Sequence, residues 1–234
     1  MALPLANSFE GGTNTTAISA ANSGGASGDP VDSLVGTAPT FSTTHAAHGG
    51  MGMSCATASQ SMVQWVAAFG TPTELWCRWY VWITGTVSAV LPICVARDAT
   101  NAANASILRI GTTMIPSVVS NATATAFTSV VPAATWVRFE MHGLVGGGGT
   151  TVTTDANYFA TMDAVTATES KTTAAIAQTT ATFGAIRFGA NLAQTQAIWM
   201  DDIEVNANGY PGPVTLPSGR RNIWLPAVRR AAYY

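Results

Sequence analysis

Three histidines, His45, His48 and His142, and the acidic pair Asp202 and Glu204 are the side chains of this chain best suited to chemistry. His45 and His48 stand three apart in Thr-Thr-His-Ala-Ala-His-Gly-Gly, a spacing that on a helix turns both imidazoles toward one metal ion. The glutamate of a helical His-Glu-x-x-His zinc motif is missing, so the residues give no metal assignment. Asp202 and Glu204 alternate along an apolar run and share one strand face, the arrangement from which a glycosidase draws its two carboxylates. Read without chemistry, the same pair belongs to a last strand whose acids bind loop amides or an arginine such as Arg187. Trp199 to Val205 lacks the Glu-apolar-Asp-x-x-Glu pattern of laminarinase-like glycosidases, and no Gly-x-Ser-x-Gly elbow is present for a serine nucleophile. Gly146 to Gly149 leads into Thr-Thr-Val-Thr-Thr rather than into the Lys and helix start of a phosphate loop, and reads as a hairpin connection. No residue is assigned a catalytic, metal or cofactor role, and no cofactor is expected.

Aromatic rings offer a second kind of chemistry. In Glu74 to Thr84, Leu75, Cys77, Trp79, Val81 and Ile83 fall on one face, and Glu74, Trp76, Arg78, Tyr80 and Trp82 on the other. Trp76, Tyr80 and Trp82 therefore form a stripe with three readings: a second packing layer under a terminal segment, a protein interface, or a platform for sugar rings. Cys55, Cys77 and Cys94 are an odd set without ligand-like spacing, each in an alternating apolar run, and read as buried thiols.

The elements that must position these groups are strands. Short runs of period two recur between Gly, Asn, Pro, Ser and Thr punctuation: Gly50 to Thr57, Glu74 to Thr84, Leu91 to Arg97, Ser106 to Gly111, Trp136 to His142, Thr150 to Asp163, Thr182 to Ala190 and Ala197 to Asn206. Thr168 to Gln178, Ala-rich around Lys171, is the one stretch that reads as a short helix or a loop. This pattern predicts an all-β sandwich or barrel. At 234 residues, one domain is expected, with 1–50 an extended, loop-rich segment leading into the sandwich, 51–213 the core and 214–234 an arm.

Composition narrows the partners. Charged residues make up only 9% and hydrophobic ones 47%, which excludes highly charged disorder. A net charge of −2 and a pI near 5.8 give no general reason to bind nucleic acid or an anionic membrane. No apolar stretch approaches the roughly 18–20 residues of a membrane span, and the first residues lack the basic and apolar regions of an export signal, so synthesis in the cytoplasm is expected. Charge is segregated: residues 1–219 hold six cationic against twelve acidic side chains, a sum of −6, whereas 220–234 carry +4. There Arg220, Arg221, Arg229 and Arg230 mix with Trp224, Leu225, Tyr233 and Tyr234, a composition enriched at protein interfaces. A partner-docking arm is the expectation.

The segments Leu5-Ala-Asn-Ser-Phe-Glu-Gly-Gly-Thr-Asn14, Asn22-Ser-Gly-Gly-Ala-Ser-Gly-Asp29, Trp136-Val-Arg-Phe-Glu140, Trp199-Met-Asp-Asp-Ile-Glu-Val205 and Gly209-Tyr-Pro-Gly-Pro213 resemble LamG-like, concanavalin A-like jelly-roll proteins. More narrowly, they are similar to those encoded with the structural genes of tailed phages of actinobacteria. The resemblance implies a non-enzymatic virion protein, assembled in the host cytoplasm: a capsid decoration or minor capsid protein, or a minor tail protein with a glycan-binding role. Its partners would be the major capsid protein or other virion proteins, with a homo-oligomer, such as a trimer, and a carbohydrate ligand as further possibilities. The absence of heptads and of a second module leans toward the head.

Overall fold

The computed structural model describes residues 3–66, 68–146, 149, 151–178 and 181–214. Among them there is no α-helix, and so none long and apolar enough to cross a membrane. The chain is a two-sheet sandwich, one of the two forms the alternation predicts, and a jelly roll, as the resemblance implies.

The larger sheet has nine strands. Its main path runs β13 (Glu169–Thr172), β12 (Thr151–Phe159), β11 (Val137–Val145), β6 (Glu74–Ile83), β16 (Ile198–Asn206), β4 (Gly52–Cys55) and β3 (Thr40–Ser42). β1 (Leu5–Asn7) also pairs with β16, and β14 (Ile176–Ala177) with β12. The smaller sheet has seven, in the order β10 (Thr123–Ala126), β9 (Pro116–Ser120), β8 (Asn104–Ile110), β7 (Leu91–Asp98), β15 (Phe183–Ala190), β5 (Ser61–Trp65) and β2 (Ser33–Gly36). Every pairing between these strands is antiparallel.

The core lies between the sheets because one residue in two along each central strand is apolar. Leu75, Cys77, Trp79, Val81 and Ile83 of β6 are all at most 1% exposed. Trp79 sits at the centre, its ring 5.9 Å from Phe139 of its own sheet and 5.7 Å from Phe188 of the opposite one. Cys55, Cys77 and Cys94 are free and buried, with Cys77 and Cys94 facing each other across the layers at 3.9 Å between sulfurs.

Thr168 to Gln178 is neither helix nor loop: it supplies β13 and β14 against β12. The β-branched Thr168, Thr172 and Thr173 favour the extended form. The Glu169 carboxylate anchors the segment by accepting the backbone N–H groups of Thr128 and Ser129 at 2.8 to 3.0 Å. Residues 3–50 place β1 and β3 in the larger sheet and β2 in the smaller. The expected hairpin between β11 and β12 is present, closed by Gly146 N–H donating to Thr151 O at 2.9 Å.

Candidate functional site

Because successive side chains alternate across a strand, the register of the larger sheet decides which residues meet on its outer face. Four rows cross β12, β11, β6 and β16. Asp155, His142, Trp76 and Asn206 form the first; Asn157, Glu140, Arg78 and Glu204 the second. Phe159, Arg138, Tyr80 and Asp201 form the third. Trp82 and Trp199 oppose each other in the fourth, and Trp136, one residue before β11, brings its ring to 6.0 Å from Trp82.

The middle rows are a closed polar layer. Arg78 pairs with Glu204 at 2.9 Å and also donates to the carbonyls of Asp202 at 3.3 Å and Gly212 at 3.0 Å. Arg138 lies over the Phe159 ring, its guanidinium carbon 3.7 Å from the centroid, and donates to Met162 O and Ala164 O at 2.5 and 2.7 Å. Its Nε is 3.3 Å from Glu140 Oε1, but out of hydrogen-bond alignment. Burial pushes the Glu140 carboxyl up, only partly offset by Arg138, Arg78 and a hydrogen bond from the Gly212 backbone.

Two segments cover this layer. Residues 207–214 run across it, with Val214 N–H donating to Tyr80 Oη at 2.9 Å and the Tyr210 ring 6.3 Å from that of His142. Residues 43–51 cover the other side and are held by four carboxylates, of Asp201, Asp202, Glu10 and, on His48 Nε2 at 3.0 Å, Asp163. Asp201 Oδ2 accepts the N–H groups of Ala47 and His48 at 2.8 and 3.3 Å. Asp202 Oδ2 meets His48 Nδ1 at 2.7 Å, and Glu10 accepts from Gly50 and Met51 at 3.0 Å. A bulge makes this possible: between Asp201 opposite Tyr80 and Glu204 opposite Arg78, the strand carries an extra residue, with Asp202 at φ 45°. Ile203 is thereby returned to the core.

The expected stripe along β6 is therefore broken. Tyr80 is 0% exposed, sealed by Val214 and by the edge of His48 at 4.8 Å. Trp76 stacks on His142 at 4.6 Å and 9°, and that histidine is fixed by Asp155 and Glu74, each at 2.9 Å. Asp202 binds the His48 ring and Glu204 an arginine, so the reading without chemistry holds in kind, but the loop amides go to Asp201 and the arginine is Arg78. Arg187 sits on the smaller sheet, bonded to Gln64 and Asn101. His45 and His48 diverge: His48 bridges Asp202 and Asp163, while His45 enters the tryptophan row. Among the described residues no three His, Cys, Asp or Glu side chains converge as metal ligands.

What remains open is the fourth row. Trp136, Trp82 and Trp199 are partly exposed on three adjacent strand positions, spanning about two strand spacings, or about 10 Å. His45 stacks on Trp82 at 4.3 Å and 22° and meets Trp199 edge-on at 4.5 Å. Trp199 Nε1 donates to Ser42 Oγ at 3.1 Å, whereas Trp82 Nε1 finds no partner. Only Trp82 of this cluster stood out in the stripe. Trp136, Trp199 and His45 lie 54, 117 and 37 positions from it, and only the sheet register gathers them. Arg220, Arg221, Trp224, Leu225, Arg229, Arg230, Tyr233 and Tyr234 of the expected docking arm lie outside the described residues.

No protein-family model and no curated protein sequence matches the chain. Solved structures do match in fold. One is "Cellulose induced protein, Cip1", at TM-score 0.55 and 15% identity over 90% of this chain and all of that one. Another is the botulinum neurotoxin type G receptor binding domain, at TM-score 0.50 and 10% identity over 90% of this chain and 48% of that one. Both likenesses are of the sandwich itself.

Proposed function

We propose that the chain is a non-enzymatic binding module whose ligand is a glycan, placed on the particle of a tailed phage as a minor tail protein that contacts the host envelope. The observation that carries this reading is the partly exposed row Trp136–Trp82–Trp199, in which His45 stacks on Trp82, a set of flat rings beside the Ser54 hydroxyl. Sugar rings stack on such faces, and their hydroxyls require polar neighbours of this kind. The carboxylates a glycosidase needs are committed elsewhere, Glu204 to Arg78 and Asp202 to His48, and residues 207–214 pass over the space between Glu140 and Glu204. The sandwich is also shared with a domain named for receptor binding, which accords with a binding role.

The test is affinity electrophoresis of the full chain in gels containing purified host-envelope polysaccharide. Saturable retardation is expected, weakened about tenfold by Trp136→Ala, since a stacking contact is worth about 1–1.5 kcal/mol. Unaltered binding by a folded Trp136→Ala, Trp199→Ala double variant overturns the reading.

A second reading, a capsid decoration or minor capsid protein bound to the major capsid protein, is favoured by the charge-segregated segment 220–234, which carries +4 against −6 for residues 1–219. Quantitative mass spectrometry of purified particles separates the two. Hundreds of copies of the chain per particle favour the head, and a small multiple of three or six favours the tail.

A further inference from the structure

The outer face of the smaller sheet is built differently from that of the larger. The described residues include five arginines and one lysine. Arg78, Arg138 and Lys171, all on or beside the larger sheet, each have a carboxylate within 3.3 Å. Arg97, Arg109 and Arg187, all on the smaller sheet, have no ion pair among the described residues, and their only side-chain partners there are neutral. Arg97 donates to Asn104, to Asn101 O at 3.0 Å and to Ala102 O at 2.5 Å. Arg187 donates to Gln64 and to Asn101 Oδ1 at 2.9 Å, and Arg109 to Ser117 Oγ at 3.0 Å. Asp98, the nearest acid in sequence, spends a carboxylate oxygen on the Thr100 hydroxyl and the amides of Ala102 and Ala103.

Arg97 and Arg187 are diagonal neighbours: Arg187 opposes Val95, and Arg97 stands two residues further along β7 on the same face. Both guanidinium groups bind the same Asn101, and the Arg97 Nε is buried without a partner. Two like charges, half withdrawn from water and held side by side, oppose each other, and burial and mutual repulsion lower the Arg187 value. The Asp98 charge favours Arg97 from a distance, but no carboxylate pairs with either guanidinium among the described residues, so an anion from outside would gain from both. Arg109 extends the positive strip by roughly 14 Å, three residues along and two strands across.

We infer that this face is a second binding surface, for an acidic polysaccharide whose carboxylate or sulfate groups meet Arg97, Arg187 and Arg109. A protein partner fits less well. The apolar residues between the arginines, Met62, Val95, Ile107 and Val119, are at most 6% exposed, and among the described residues the exposed large apolar side chains all lie elsewhere, so the patch as described lacks the apolar centre of a protein interface. Its accessible chemistry is guanidinium, amide from Asn101 and Asn104, and hydroxyl from Ser33 and Ser117, which suits a hydrated, hydroxyl-rich anionic polymer. The surface is independent of the tryptophan row on the opposite sheet.

The test measures binding of the full chain to polygalacturonate, dextran sulfate, neutral dextran and duplex DNA across a salt series. Saturable, salt-sensitive binding to polygalacturonate, dextran sulfate or both is expected, with neutral dextran bound at least tenfold more weakly. Arg187→Gln weakens it about tenfold, the scale of one hydrogen bond to a charged group. Arg109→Glu does the same and keeps the test valid if loss of Arg187 disturbs folding, because among the described residues the Arg109 side chain bonds only Ser117. Wild-type binding by both folded variants overturns the inference. So does tighter binding to DNA than to either polysaccharide, or binding that vanishes instead when Arg220, Arg221, Arg229 and Arg230 are changed to Gln.

Discussion

His48 Nδ1 lies 2.7 Å from Asp202 Oδ2, although 154 residues separate them. With Asp163 at 3.0 Å on Nε2, the imidazole is held between two carboxylates under a covering loop. Burial opposes its charge, but the hydrogen bonds and charges of Asp202 and Asp163 outweigh that penalty and raise its value above the ordinary 6.5. Behind it, Asp201 is pushed well up by burial and by the charge of Asp202.

Both folded values lie above the unfolded ones, so the sign is the same for each. The His48 contribution to stability is fully present below about pH 6.5 and is lost as pH rises through the raised folded value. The urea midpoint of the wild type should therefore fall between about pH 6 and about pH 8.5, while His48→Gln should be less stable at the lower pH and show a flatter profile. A profile equally steep in the variant would remove His48 as its source.

Arg78 joins three segments: β6, the Asp201–Glu204 bulge and the covering residues 207–214. Arg78→Ala should cost about 3–5 kcal/mol, because it leaves Glu204 without its ion-pair partner, removes one of the two cations beside Glu140 and deprives two carbonyls of their donor. Arg78→Met, with Glu204→Gln added, should recover part of that loss. Denaturant titration of the three proteins checks the order.

Trp79 contacts both sheets at the centre of the core, and its indole N–H has no partner. Trp79→Ala should cost about 3–5 kcal/mol through the cavity it leaves. Trp79→Phe should cost clearly less, since it keeps most of the ring and removes an unsatisfied donor. Equal losses in thermal unfolding would count against this account.

Burial pushes the Cys55 thiol up to about 12, and Cys94 is also raised by burial and by Cys77. In the folded protein at about pH 8 all three thiols should resist iodoacetamide, and in denaturant all three should react, which intact-mass measurement resolves. Modification of the native protein at any of them would show that the core opens there.

The sequence by itself determined the class of fold and its inward face, because apolar residues recurring every second position in Glu74 to Thr84 or Trp136 to His142 bury only as strands packed on a second layer. It also determined that the acids near Asp202 need not be catalytic. Strands buried on both faces were less visible: Ser61–Trp65 is buried at every position, so no alternation marks it. Thr168 to Gln178 was ambiguous for the opposite reason, being polar and Ala-rich until its pairing with β12 made it a strand. What only the tertiary structure decided is which side chains share a row. Period two says that Trp76, Tyr80 and Trp82 face one way, but register sets their neighbours, and two loops from distant parts of the chain bury Tyr80 while leaving Trp82 beside Trp136 and Trp199. The arginines of the smaller sheet, without an ion pair among the described residues, follow the same logic, since whether a charge has a counter-ion depends on contacts between residues far apart in the chain.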